Sequence, residues 1–238
     1  MKLNDQLVKR GRGRGRPQPG PRAGRARRGL GRRPGPATDD SRQRIFAAAA
    51  HQFAARGFAG ASVDRIARAA RVNKAMIYYH FGSKAALYRE ILGDMLRAVG
   101  ERVRAVAASA ATPEEKLRQF VAAIADAAEA RPHFPPIWFR EIAEEGAHLG
   151  AETLQEVAAV LQGLMAILQE GVRMRRFRKV NPLLVHGGIV GPLLLFFASA
   201  GVRRKLEHVG LSGAAQFTRD EVVTHVQRVT LALVEGRM

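Results

Sequence analysis

The stretch that decides the fold is residues 62–84, SVDRIARAARVNKAMIYYHFGSK. It predicts two short helices, because Ser62 can cap a helix whose apolar residues recur with helical spacing at Val63, Ile66, Ala67 and Ala70. After a break at 71–73, a second helix is predicted over 74–80, anchored by Ile77 and Phe81. Two short helices joined by a tight turn are typical of a device that lays its second helix in the DNA major groove.

The segment before this stretch is also helical, with Ile45, Ala49 and Phe53 on one face and Gly57 placed to adopt a left-handed cap. Together with VNKAMIYYHFGSKAALYREIL (72–92), it resembles the helix-turn-helix core of the TetR family of bacterial repressors. The matching positions are Val72, Ile77, Tyr78, His80, Phe81, Ser83, Lys84 and Leu87. The departures are Asn73 and Ala75, where Ser and Gly are commoner, and both lie where family members differ in operator choice.

The resemblance implies a role in DNA binding for seven side chains. Four would contact phosphates: Ser62, Tyr78, His80 and Lys84. Three would face the bases: Lys74, Met76 and Tyr79. The alternative is that Tyr78 and His80 are ordinary surface or partly buried helix residues.

The rest of the chain predicts an all-α fold of nine helices. A three-helix domain over 41–87 is joined, by a long fourth helix from Ser83 to about Ala108, to a larger helical domain over 88–238. The resemblance implies that this larger domain binds a ligand and forms the dimer. Further helices are predicted from Thr112 to about Ala130 and over 137–145, 151–173, 182–206 and 218–235. The prolines at 132, 135 and 136 predict a break before the sixth helix.

The chain is strongly basic, with a net charge of +18. Residues 1–40 contain 12 Lys or Arg against three Asp, so this Arg-, Gly- and Pro-rich tail carries half of the excess and is predicted to be disordered. It could hold the DNA backbone or minor groove, or it could be a solvated extension without a role.

Catalytic chemistry is not indicated. The chain has no cysteine, and its seven histidines form no recognised metal or nucleophile motif, so we expect no enzyme activity, no cofactor and no metal site. Glu141, Glu144 and Glu145 could form a carboxylate pair, but their spacing on a helix favours a solvated face.

Residues 182–202 form an uncharged 21-residue run with Gly187 and Gly191 four apart. By length it could span a bilayer, and small residues would serve a subunit interface equally well. His186, Pro192 and the amphipathic helices on either side favour a buried dimer helix over a membrane segment.

The resemblance implies a cytoplasmic, nucleoid-associated homodimer that pairs through its last two helices, about 182–206 and 218–235. It would bind a palindromic double-stranded operator and be released by an unknown small molecule, with no membrane partner. Candidate ligand-binding residues are Phe134, Trp138, Phe139, Met165 and Phe177. Two rivals are a nonspecific architectural nucleic-acid protein driven by the tail and a membrane-tethered sensor.

Overall fold

The computed structural model describes residues 36–236, and all regular secondary structure in that range is helical. The ten helices are α1 (Pro36–Gly60), α2 (Val63–Ala70), α3 (Lys74–Phe81), α4 (Lys84–Ala108), α5 (Pro113–Ala130), α6 (Phe134–Ala143), α7 (Ala151–Arg173), α8 (Pro182–Ala198), α9 (Ala200–His208) and α10 (Arg219–Glu235). The predicted all-α fold is confirmed. Most of the predicted tail lies outside the described residues, but residues 36–40, which were assigned to it, begin α1.

Helices α1 to α3 pack around a small apolar core that includes Ile45, Phe53, Ile66 and Ile77, all fully buried. The predicted cap is present, because the Arg65 backbone N–H donates to the hydroxyl of Ser62. Between α2 and α3 the chain turns through Arg71, which has φ 54° and ψ 48° in the left-handed region. Asn73 then caps α3 by accepting from the Ala75 N–H at 2.9 Å.

Gly57 breaks the regular path of α1, as the sequence indicates, although its conformation differs from the one expected. Its φ is positive at 68°, but its ψ of 179° is extended rather than helical, and the helix resumes as far as Gly60. This bend carries Phe58 onto Tyr88 of α4, with ring centroids 5.1 Å apart.

Helix α4 belongs to both halves of the molecule. Its N-terminal turns bury Leu87 and Ile91 next to α1 and α3, and its C-terminal turns bury Val99 and Val103 next to α5 and α7. The apolar residues of α4 that recur every four positions form one buried stripe, since each is at most 3% exposed: Leu87, Ile91, Met95, Val99 and Val103.

Helix α6 begins earlier than the sequence predicts. Pro135 and Pro136 lie in its first turn instead of the preceding break, because the first helical positions need no backbone N–H donor. As a result α6 starts at Phe134 and packs against α1, α4 and α8.

The prediction of one helix over 182–206 is wrong. The chain bends by 60° between α8 and α9. Ser199 at the bend donates its hydroxyl to the Phe196 carbonyl, and Arg203 also donates to that carbonyl, at 2.5 Å. A side chain that competes for a helix carbonyl is a common cause of a kink in the helix. Within the described residues there are therefore ten helices, not nine.

Two regions of the described chain are long and apolar enough to cross a membrane: α7 alone, and α8 with α9 if the bent pair is taken as one span. Helix α7 packs along α4, α5 and α8. Its exposed side is mixed, because Glu152, Gln155, Gln162, Gln169 and Arg173 are polar whereas Leu154 and Met165 are 51% and 39% exposed.

We expect Gly163→Ala to destabilise the contact between α7 and α4, because an added Cβ would overlap Cγ1 of Val103. Overpacking of this kind costs about 1–3 kcal/mol, more than the helix propensity gained. The matched control is Gly201→Ala in α9, where the nearest atom is 3.9 Å away and the substitution should stabilise. Denaturant midpoints of the two variants should move in opposite directions, and a rise for Gly163→Ala would contradict the described packing.

Candidate functional sites

The second helix of the helix-turn-helix, α3, is anchored by its buried residues and presents aromatic side chains outward. Ile77 is fully buried and Phe81 is 7% exposed, whereas Tyr78 is 47% and Tyr79 is 72% exposed. Because the phenol groups of both tyrosines are exposed to solvent, they are available to contact another molecule.

Lys74 lies at the N-terminus of α3, exposed and 3.0 Å from the Asp64 carboxylate of α2. The hydrogen bond to Asp64 raises the pKa of Lys74, so its ammonium stays charged. Met76, also assigned to the bases, is only partly exposed and packs against the core. Of the three residues assigned to the bases, Lys74 and Tyr79 are thus the most accessible.

The remaining DNA-binding candidates have structural contacts of their own. The Ser62 hydroxyl caps α2, the His80 Nε2 lies 2.8 Å from the Ser41 Oγ, and the Lys84 Nζ lies 4.3 Å from the centre of the Phe58 ring. These contacts fix the three side chains within the helix-turn-helix domain. They also mean that a substitution here would disturb the domain itself.

Three exposed cations that sequence reasoning did not single out lie on α2 and in the turn that precedes α3: Arg65, Arg68 and Arg71. The first two lie on the outer face of α2, and the third lies in the turn. The helical spacing of the buried residues Ile66 and Ala67 could have revealed them, because it leaves these arginines on the opposite face.

A second candidate site is a small apolar cavity enclosed by five helices, α4 to α8. Its volume is about 50 Å³, and its lining includes Met95, Val99, Phe134, Trp138 and Val160. The polar ring among the lining residues of α8 is His186, whose imidazole makes no hydrogen bond within the described part of the chain. Burial lowers the pKa of His186, so the imidazole is neutral near pH 7.

The five predicted ligand-binding residues are not all at this cavity. Phe134 and Trp138 stack 5.6 Å apart in its wall. Phe139 packs against the core elsewhere, Met165 is 39% exposed on α7, and Phe177 is buried against Gly171. The structure therefore brings together only the two residues that share one face of α6.

The prediction of a solvated face at the end of α6 is wrong for Glu141, which is only 1% exposed. Its carboxylate accepts hydrogen bonds from the Tyr88 hydroxyl at 2.7 Å and from the His148 backbone N–H at 3.2 Å. Burial, together with the Glu141 bond, raises the pKa of Tyr88, so the phenol stays protonated as the donor. Helical spacing alone did not reveal this pairing, because Tyr88 is 53 residues away.

A capped helix-turn-helix whose second helix is exposed, joined by one long helix to a larger helical bundle, defines a DNA-binding regulator with a separate sensing domain. Sequence comparison gives the same class. A profile for bacterial regulatory proteins of the tetR family matches residues 45–91, and a tetracyclin repressor-like C-terminal domain profile matches residues 113–221. The chain belongs to the TetR family of DNA-binding transcriptional regulators.

Characterised relatives are similar over much of their length. The transcriptional repressor NicS of Pseudomonas putida is 27% identical over 67% of this chain and 76% of its own. The transcriptional repressor KstR2 of Mycolicibacterium smegmatis is 32% identical over 58% of this chain and 67% of its own. Among solved structures, the TetR family regulator PfmR from Thermus thermophilus has a TM-score of 0.61 and 25% identity, covering 81% of this chain and 95% of its own.

We expect Tyr79→Ala to weaken binding to the specific operator by about tenfold or more, because a lost base contact costs about 1–3 kcal/mol. Affinity for random DNA should change little, because nonspecific binding depends on phosphate contacts. The control is Lys179→Gln, which removes an exposed cation between α7 and α8. Equal losses on operator and random DNA would exclude a base-reading role for Tyr79.

Proposed function

We propose that this protein is a dimeric, cytoplasmic, non-enzymatic repressor that binds a palindromic operator through Lys74, Met76 and Tyr79 and is released by a small apolar molecule. Ser62, Tyr78, His80 and Lys84 would hold the phosphates on either side of the groove. The observation that carries this proposal is the exposure of two adjacent tyrosines on an anchored α3. The repressor names of NicS and KstR2 favour repression over activation.

The dimer contact is supported by the outer face of α8. Leu183, Leu184 and Leu195 are 64%, 73% and 58% exposed there. Between them Gly187, Gly188 and Gly191 have no neighbouring atom of residues 36–236 within 4 Å of an added Cβ, so no packing among the described residues requires a glycine there. An apolar face of large and small residues would let a second copy of α8 approach closely. The polar outer face of α10 would form its rim.

We expect Leu184→Glu to convert the dimer to a monomer, because it places a charge at the centre of this apolar face. Operator affinity should fall with it, because each half-site would then be bound separately. Leu154→Glu is the matched control, since Leu154 is 51% exposed on α7, away from α8. Sedimentation analysis should show a monomer only for Leu184→Glu, and a dimer in both variants would place the interface elsewhere.

Release by a ligand follows from the size of the cavity. Ligand sites usually hold about 300–1,000 Å³, so a volume of about 50 Å³ accommodates an effector only if the wall moves. That wall includes Val99 of α4 and Trp138 of α6, and the other ends of both helices touch the DNA-binding domain. A ligand would therefore favour a conformation in which the spacing of the two α3 helices, about 34–36 Å on DNA, is changed.

The lining also indicates the chemical class of the effector. No lining residue carries a formal charge, and burial keeps His186 neutral. A charged ligand would lose its hydration without gaining a partner, so the effector should be neutral and mostly apolar. One hydroxyl, carbonyl or amide group could hydrogen bond to His186.

The basic tail is a further part of the proposal. Its 12 cations would add phosphate contacts that are insensitive to sequence and sensitive to salt. Removing residues 1–35, which precede α1, should therefore reduce the salt dependence of DNA binding and preserve operator choice.

Footprinting on the upstream DNA of its own gene, in excess random DNA, tests the function. We expect a protected palindrome that a neutral apolar compound releases, with quenching of Trp138 as the compound binds. His186→Leu should keep the protection and weaken the response to a compound with a polar group by about tenfold. If excess random DNA abolished protection of the upstream DNA, and also of sites selected from a random library, the protein would instead be a nonspecific DNA binder.

A further inference from the structure

Three metal-ligating side chains converge where α6 ends. The Nδ1 of His148 lies 2.9 Å from Oε1 of Glu141 and 3.5 Å from Oε2 of Glu144. All three ligand atoms lie within 4.8 Å of one another. Nitrogen and oxygen ligands at about 2.0–2.2 Å from one Zn²⁺ are separated by about 3–4 Å, so small side-chain rotations would bring these atoms around one ion.

The ligand atoms are already oriented from outside the cluster. The Tyr88 hydroxyl and the His148 backbone N–H hold the two oxygens of Glu141. The imidazole packs against two aromatic rings, with its centroid 4.2 Å from that of Phe58 and 5.4 Å from that of Tyr88. Such outer partners fix the geometry of metal ligands and strengthen binding.

The charge balance also favours a cation. No Lys or Arg pairs with Glu141 or Glu144 within the described part of the chain, although Glu141 is buried. Apart from His148 the two carboxylates therefore have no basic partner in this part of the chain, and a divalent ion at the three ligand atoms would supply a positive charge. The edge of the cluster is open, because the side chains of His148 and Glu144 are 24% and 45% exposed.

We propose that Glu141, Glu144 and His148 form a binding site for a divalent transition-metal ion such as Zn²⁺ or Co²⁺. One imidazole and two carboxylates suit these metals better than Mg²⁺ or Ca²⁺, which prefer oxygen alone. The ion would bind Nδ1 of His148, and the proton of the coordinated imidazole would then lie on Nε2. Water completes the coordination at the open edge.

The ion would act on the same junction that transmits the effector signal, from a separate site. Its ligands are not among the residues that line the apolar cavity. It would tie the segment after α6 to the carboxylate that holds Tyr88 of α4. Occupancy therefore stiffens the contact between the sensing domain and the DNA-binding domain.

The test is titration of untagged, full-length, chelator-treated protein with Co²⁺, followed by its visible absorption bands, with Zn²⁺ as competitor. We expect one Co²⁺ per chain, displaced by Zn²⁺. Glu144→Gln and His148→Gln should each weaken binding by about tenfold or more, because each removes a ligand at the open edge. The matched controls, Glu145→Gln and His225→Gln, replace exposed side chains outside the cluster and should bind as the parent does.

Tyr88→Phe separates a metal site from a purely structural hydrogen-bond cluster. It leaves the ligands intact but removes an orienting donor, so Co²⁺ binding should weaken by about 10–100-fold with the band shape retained. Circular dichroism confirms the fold of each variant before titration. Absence of Co²⁺ and Zn²⁺ binding by the parent protein, or binding that survives in Glu144→Gln and His148→Gln, would overturn the proposal.

Discussion

The buried hydrogen bond between Tyr88 and Glu141 is the constraint on which the arrangement of the two domains depends. A carboxylate that is 1% exposed must be satisfied by partners, and here these are a phenol of α4 together with the backbone N–H and Nδ1 of His148 beyond α6. Removing Glu141 would leave the Tyr88 hydroxyl buried without its acceptor, at a cost of about 1–3 kcal/mol. Helices α4 and α6 are therefore held in one relative position, and with them the DNA-binding domain, because Phe58 of α1 packs on the same tyrosine.

This junction would couple the small apolar cavity to the DNA-binding domain if a ligand occupied it. The apolar cavity is lined by Phe134 and Trp138 of α6. Glu141 follows Trp138 by less than one helical turn and lies near the C-terminus of α6. A close-packed interior does not absorb a ligand by local compression, so it responds by moving whole helices. Arg140, next to Glu141, also donates a hydrogen bond to the Ala55 carbonyl of α1 at 3.4 Å. Movement of α6 would reach the DNA-binding domain along both contacts.

The sequence predicts the parts of this molecule that depend on local rules. Ser62, Thr112 and Thr218 cap helices as expected, and the stripe on α4 is buried, because caps and periodicity are encoded within a few residues. Prediction from the sequence fails where contacts between residues far apart in the chain determine the structure. The spacing around Glu141 predicts a solvated side chain, because its partner Tyr88 is remote in sequence. The bend at Ser199 depends on Ser199 and Arg203, whose side chains both donate to the same helix carbonyl. For the candidate sites, exposure of α3 followed from its pattern, but which aromatic residues share a cavity required the packing of five helices.

The short length of α3 also explains why sequence-specific DNA binding would need dimerisation in addition to the basic charge. An eight-residue helix would offer few side chains to the bases, chiefly Lys74 and Tyr79, and each good contact discriminates by about 1–3 kcal/mol. One copy would therefore distinguish few base pairs, which is too little against the many competing sites in a genome. The excess of +18 raises affinity for all DNA without improving that choice. Specificity has to come from reading two half-sites at a fixed spacing, and the apolar, glycine-rich face of α8 is the surface on which such spacing could be set.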